Sequence, residues 1–258
     1  MRHGTSTPRT TTAHTHYSAV PPASGLYDPA HEHDACGLAM LVRYRGDADH
    51  TIVEQALSAL RNMEHRGAVG GDSGSGDGAG ITVQIPDAFF RCVFDAELPP
   101  AGTYAVGTAF LDPAAPQAGR EIVAELAAAE GMSVLGWREV PTALEAAGVS
   151  AREVMPRFEQ VALALSPELP TALETTGRID ETEIERRAFA VRKRAERAGI
   201  YFPSLSARTI TYKGMLTTAQ LAPFYPDLTD ERFTTRIALV HSRFSTTLRL
   251  PSISGHPS

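Results

Sequence analysis

The sequence predicts an α+β fold built from packed layers. Three observations carry that reading. Apolar residues recur at helical spacing over 51–64, 118–131 and 182–199. Short β-like runs lie around them, at 36–44, 81–85, 105–111, 133–140, 201–214 and 236–245. The two kinds of element do not alternate with regular βαβ spacing, which favours an α+β layered fold over a doubly wound one.

Taken in order, residues 1–24 are rich in Thr, Ser, His and Pro and contain no acidic residue. They lack periodicity and read as disordered. Arg2 and Arg9 without acids share the charge of a transit peptide, but the apolar helical face is missing, so a flexible leader is the better reading. "CGLAMLVRY" (36–44) reads as a strand. In 51–64, Ile52, Val53, Ala56, Leu57 and Leu60 share one helical face. A glycine-rich loop follows over 65–80, and "ITVQI" (81–85) alternates like a strand. "AVGTAFL" (105–111) and "SVLGWREV" (133–140) are strands on either side of a helix over 118–131 that Gly131 ends. The helix over 182–199 gathers Ile184, Ala188, Val191 and Ala195 on one face and covers the rest with charge. Two more strands come from 201–214 and 236–245, and no internal repeat is visible.

A chain of 258 residues, 43% of them hydrophobic, suits one or two domains with a sizeable core. The net charge is -6 and the basic residues form no single patch, so no nucleic-acid partner is expected. No apolar run approaches the ~20 residues that span a bilayer, so no membrane partner is expected either. Cys36 and Cys92 follow no secretory segment, which points to a reduced, cytoplasmic protein. Cys92, in "FFRCVF", reads as a small buried apolar group.

Several motifs have two readings each. "GDSG" (71–74) offers Ser73 as a nucleophile with His65 as base, but the "SGDG" that follows lacks the usual continuation of that motif. The glycines at 74, 76, 78 and 80 could cradle a phosphate, or could serve a loop that needs positive φ or close backbone approach. They fit neither G-x-G-x-x-G nor a P-loop, and the structural reading is preferred. His31, Glu32, His33 and Asp34 could ligate a metal, yet no second pair completes a zinc spacing, so a solvated segment is preferred and no metal is expected. Arg243 ends an apolar strand, where it either caps a surface or grips a carboxylate through its planar fork.

Taken together, "GLYDP", "HDACG", "EHRGAVGGDSGSGDGAGI", "SLSARTITYKGML", "FYPDLTDERF" and "ALVHSRFST" occur in an order and spacing that resembles the amino-terminal amidotransferase domain of glutamate synthase large subunits. These are type-2 glutamine amidotransferases, and the resemblance runs from residue 25 to 246. It implies an N-terminal-nucleophile hydrolase fold, an αββα four-layer sandwich with antiparallel sheets. It implies a leader, 1–35, removed at the Ala35–Cys36 bond, so that the Cys36 thiol and a new α-amino group share one residue. An α-amino group has a pKa near ~7.7 to 8.0 and can act as a base near neutral pH. The substrate implied is L-glutamine, hydrolysed to glutamate and ammonia through a Cys36 thioester. Arg243 matches the arginine that holds the substrate α-carboxylate, and Thr246 lies in the same loop. His65, Arg66 and Gly67 match a supporting loop beside the nucleophile. In the full-length family enzyme the ammonia aminates 2-oxoglutarate in a synthase domain that uses FMN, an iron–sulfur cluster and a reductant, in some cases through a reductase subunit.

After Thr246 the family continues to an Asn-Gly pair that supplies oxyanion donors, and to an acidic residue for the substrate amino group. Here Asn62 is the only asparagine, and residues 247–258 do not match. The sequence therefore implies a partial amidotransferase domain over 36–246, incomplete at the C-terminus, with no cofactor of its own and little activity alone. The alternative is a non-catalytic protein that binds glutamine or a partner.

Overall fold

The computed structural model describes residues 25, 36–64, 76, 78–167 and 181–242. The chain divides into two compact units, Met1–Ala35 and Cys36–Ser258. Only Gly25 is described in the first. Most of the expected leader, residues 65–75 of the glycine-rich loop, and everything from Arg243 onward lie outside the described residues.

In the second unit the described residues form two four-stranded antiparallel sheets and six α-helices, as an α+β fold requires. The first sheet has β1 (Gly37–Val42), β8 (Ile237–Ser242), β2 (Ala79–Gln84) and β7 (Thr209–Gly214), in that lateral order. The second has β4 (Met132–Glu139), β5 (Arg157–Leu165), β3 (Tyr104–Leu111) and β6 (Leu205–Ser206). The helices are α1 (Thr51–Asn62), α2 (Asp87–Val93), α3 (Pro116–Ala129), α4 (Val149–Glu153), α5 (Glu181–Arg197) and α6 (Leu221–Phe224).

Helix α1 starts where Asp49 accepts hydrogen bonds from the Thr51 amide and hydroxyl, both at 2.7 Å. Its five expected face residues are all buried. They pack with Ala79, Ile81, Val83, Ile210, Ala238 and Val240 of the first sheet in a core that also takes Val106, Phe110, Phe158 and Ala162 of the second. The opposite face of the second sheet contributes Ala105, Ala109, Val161 and Leu163 to another core. Val123 and Ala127 of α3, and Ile184, Ala188, Val191 and Ala195 of α5, complete it. The second sheet is thus covered on both faces, which explains why β3 is a continuous buried run rather than an alternating one. Gly131 follows α3 with φ +68°, the left-handed conformation that ends a helix at no steric cost.

Two differences from the sequence reading have physical causes. Periodicity assigns no element to 157–165, yet β5 lies there at the centre of the second sheet. Glu159 and Gln160 interrupt its apolar run, but both are fully buried with partners. Arg120 and Arg157 donate to the Glu159 carboxylate, and Gln160 is bonded to Thr108, Tyr212 and Arg138. Cys92 is exposed, contrary to the buried reading. Helix α2 turns Phe89 and Phe90 into the core, with Phe94 just beyond its end, and that leaves Cys92 on the outer side.

A buried polar cluster ties the sheets together. Tyr212 of β7 donates to Asp227 at 2.7 Å and accepts from Gln160 of β5 at 2.8 Å. Arg138 of β4 pairs with Asp227 and donates to Gln160 at 2.7 Å. Burial, and then the Asp227 charge, push the Tyr212 hydroxyl well above its usual range, so it stays a donor.

Candidate active site

Cys36 stands one residue before β1, an edge strand of the first sheet, and is exposed. Along β1, Ala39 and Leu41 pack on the core while Leu38, Met40 and Val42 are exposed. The same alternation puts Cys36 on the face of Leu38 and Met40.

The ladder register sets out what shares that face. The first rung holds Leu38, His241, Gly80 and Lys213 across β1, β8, β2 and β7. The second holds Met40, Leu239, Thr82 and Thr211, with the two threonine hydroxyls 2.9 Å apart. A Cβ on Gly80 would lie 2.3 Å from His241 Cε1 and 2.7 Å from both His241 Nε2 and Lys213 Cβ. Glycine is needed there because the imidazole lies over the backbone. Close approach, one of the two structural uses expected of these glycines, therefore holds at Gly80. Lys213 Nζ sits 5.0 Å from the centroid of the Tyr201 ring, a cation–π contact. Burial, and then the Lys213 charge, lower His241 to about 4. From the second rung onward the face opens into a groove of about 550 Å³, lined by Met40, Thr82, Gln84, Thr209, Ile237 and Leu239 among others.

These groups set an acid limit on stability. Arg186, then Arg187, holds Glu183 at about 2, and Arg232 holds Asp230 at about 2. A lowered folded-state pKa stabilises above the unfolded value and is lost as pH falls through the folded one. Melting temperature is expected to drop first between roughly pH 6.5 and 4 as the unfolded chain protonates at His241. It should drop again between roughly pH 4 and 2 through Glu183 and Asp230. Thermal melts across pH 7 to 2 check this, and His241→Gln should flatten only the first segment.

Of the sequence-derived site residues, the structure places Cys36. His65, Arg66, Gly67, Arg243 and Thr246 lie outside the described residues, as do Ser73 and the His31–Asp34 run. Among the described residues no group of three or more His, Cys, Asp and Glu could hold a metal. No described helix is long and apolar enough to cross a membrane. His241 and Lys213 share the Cys36 face with Gly80, and sequence reasoning gave those two no role. The one signal was a histidine in phase with Leu239 on a strand facing a glycine.

The described residues thus place an exposed cysteine just before an edge strand, in an α+β fold of two antiparallel sheets. A model of the class-II glutamine amidotransferases matches residues 36–254, and the chain belongs to that enzyme family. Its curated relatives include glutamate synthases. It is 42% identical to the glutamate synthase [NADPH] large chain of Bacillus subtilis, over 89% of this chain and 15% of the relative. It is 39% identical to the glutamate synthase [NADH] of Saccharomyces cerevisiae, over 89% of this chain and 11% of the relative. It is 40% identical to ferredoxin-dependent glutamate synthase 2 of Synechocystis, over 83% and 14%. The chain thus spans less than a sixth of the length of these relatives.

Proposed function

We propose that this chain is the glutaminase portion of a glutamate synthase and that Cys36 is its nucleophile. The observation that carries the reading is a coincidence of position. The family match begins at Cys36, and the same residue is exposed at the start of an edge strand. Loss of residues 1–35 gives Cys36 a free α-amino group, which takes the thiol proton. The sulfur attacks the side-chain amide carbon of glutamine, and a proton passes to the departing nitrogen, which leaves as ammonia. Water then cleaves the thioester, releasing glutamate and restoring the thiol. Arg243 grips the α-carboxylate through two parallel charge-assisted bonds, Thr246 of the same loop contacts glutamine, and the loop at His65, Arg66 and Gly67 supports the nucleophile. In this reading the two sheets and their helices belong to a four-layer αββα sandwich.

In a longer polypeptide such as the relatives, the ammonia would pass to 2-oxoglutarate at a synthase site with FMN, an iron–sulfur cluster and a reductant. The residues present do not fit the cluster. Clusters take sets of cysteine thiolates, and this chain has only Cys36 and Cys92.

Labelling with a diazo-ketone analogue of glutamine, read by intact mass and peptide mapping, tests the proposal. The expected product begins at Cys36 and carries one label there. A folded chain that keeps residues 1–35, or a label on Cys92 alone, would overturn it.

A further inference from the structure

The first rung does more than neighbour Cys36. Leu38 projects from β1 and is 56% exposed. His241 projects from β8, and its ring fills the space left by Gly80 on β2. Lys213 continues the row on β7. Without the imidazole, the row would have a gap at the glycine. With it, a ridge crosses all four strands. Cys36 lies on one side of the ridge. The apolar groove lies on the other, and none of the four ridge residues lines it. Successive same-face rungs are about 6.6 Å apart, so a straight chain of only a few atoms from the Cys36 sulfur would meet the ridge.

We infer that His241 is a specificity-determining residue: its ring closes the sheet face between Cys36 and the groove and so limits the length of acyl chain that Cys36 accepts. A substrate the size of glutamine ends before the ridge. A longer apolar chain would have to pass it to reach Met40, Leu239 and Ile237. The low pKa of His241 fits this role, because an uncharged ring beside an apolar groove has no charge to keep hydrated at neutral pH. The inference rests on the reading of Cys36 as the nucleophile, but its test does not need turnover.

The experiment compares rates of Cys36 alkylation by N-methylmaleimide and N-octylmaleimide in the 258-residue chain, in a Cys92→Ser background so that one thiol reacts. His241→Ala is expected to raise the octyl-to-methyl rate ratio about tenfold or more, since each methylene that finds an apolar wall is worth about fourfold. His241→Phe keeps a ring over Gly80 and should hold the ratio at the wild-type value. An unchanged ratio in His241→Ala, or an equal rise in both variants, overturns the inference. Melting temperature is recorded for each variant. Should His241→Ala not fold, His241→Val opens much of the same space with a strand-favouring residue and carries the comparison. Loss of the folded state in both would also overturn it, because a partition does not hold a sheet together. Failure of the diazo-ketone label at Cys36 would refute the nucleophile assignment while leaving the maleimide ratio readable, so the two failures can be told apart.

Discussion

Replacing Cys36 with alanine is expected to lower glutamine hydrolysis by roughly 10⁴-fold or more, the scale on which removal of a covalent nucleophile acts. Cys92→Ala should leave the rate within about twofold, because surface substitutions away from a site cost little. Both cysteines are exposed, so access alone does not separate them. Position does. Cys36 opens the family match, where loss of residues 1–35 would put thiol and amine on one residue, while Cys92 lies inside α2. The measurement is steady-state ammonia release from a chimera in which this chain replaces the matching segment of the Bacillus subtilis relative. Equal losses from the two substitutions would refute the assignment of Cys36.

The second large effect concerns stability. Asp227→Asn is expected to destabilise the fold by about 3–5 kcal/mol, because it leaves the Arg138 guanidinium buried without its counter-charge. The Arg138 and Asp227 side chains are 8% and 5% exposed. Arg138 also lies over the Phe89 and Phe90 rings, which cannot replace a carboxylate. Replacing the pair together, as Arg138→Met with Asp227→Leu, should cost clearly less than Asp227→Asn, since no charge is then stranded. Tyr212 and Gln160 would still lose partners, so the double variant should not reach wild-type stability. Urea denaturation decides the matter. A loss under about 1 kcal/mol for Asp227→Asn would mean that water reaches the guanidinium.

How much of this was legible in the sequence depended on whether a signal was local. The buried faces of α1 and α5 could be read residue by residue, because a 3.6-residue period needs no knowledge of the partner. Strand β5 could not. Its Glu159 and Gln160 look like surface residues until Arg120, Arg157, Thr108 and Tyr212 arrive from distant parts of the chain. Cys92 misled for the same reason, since its neighbours in "FFRCVF" are core phenylalanines and only the helical turn separates it from them. At the site, Cys36 stood out as the point where a polar run becomes an apolar strand, and the family resemblance gave that point a chemistry. The ridge through His241 had no local signature at all. It exists only once β1, β8, β2 and β7 are laid side by side in register.

Glu159 and Gln160 have one further consequence, for how β5 finds its place during folding. They are consecutive, so they point to opposite faces of the second sheet. One is held by Arg120 of α3, the other by Tyr212 of the first sheet. Without them, the register of a strand buried on both faces would rest on side-chain size alone, Val161 and Leu163 on one face against Ala162 and Ala164 on the other. The polar pair forbids a slip. A slip that put Gln160 in the Glu159 slot would leave Arg120 facing a neutral amide, and a slip the other way would set the Glu159 carboxylate against Tyr212 and Asp227. The two residues work as a keyed joint, whose two unlike teeth fit their slots in one alignment only.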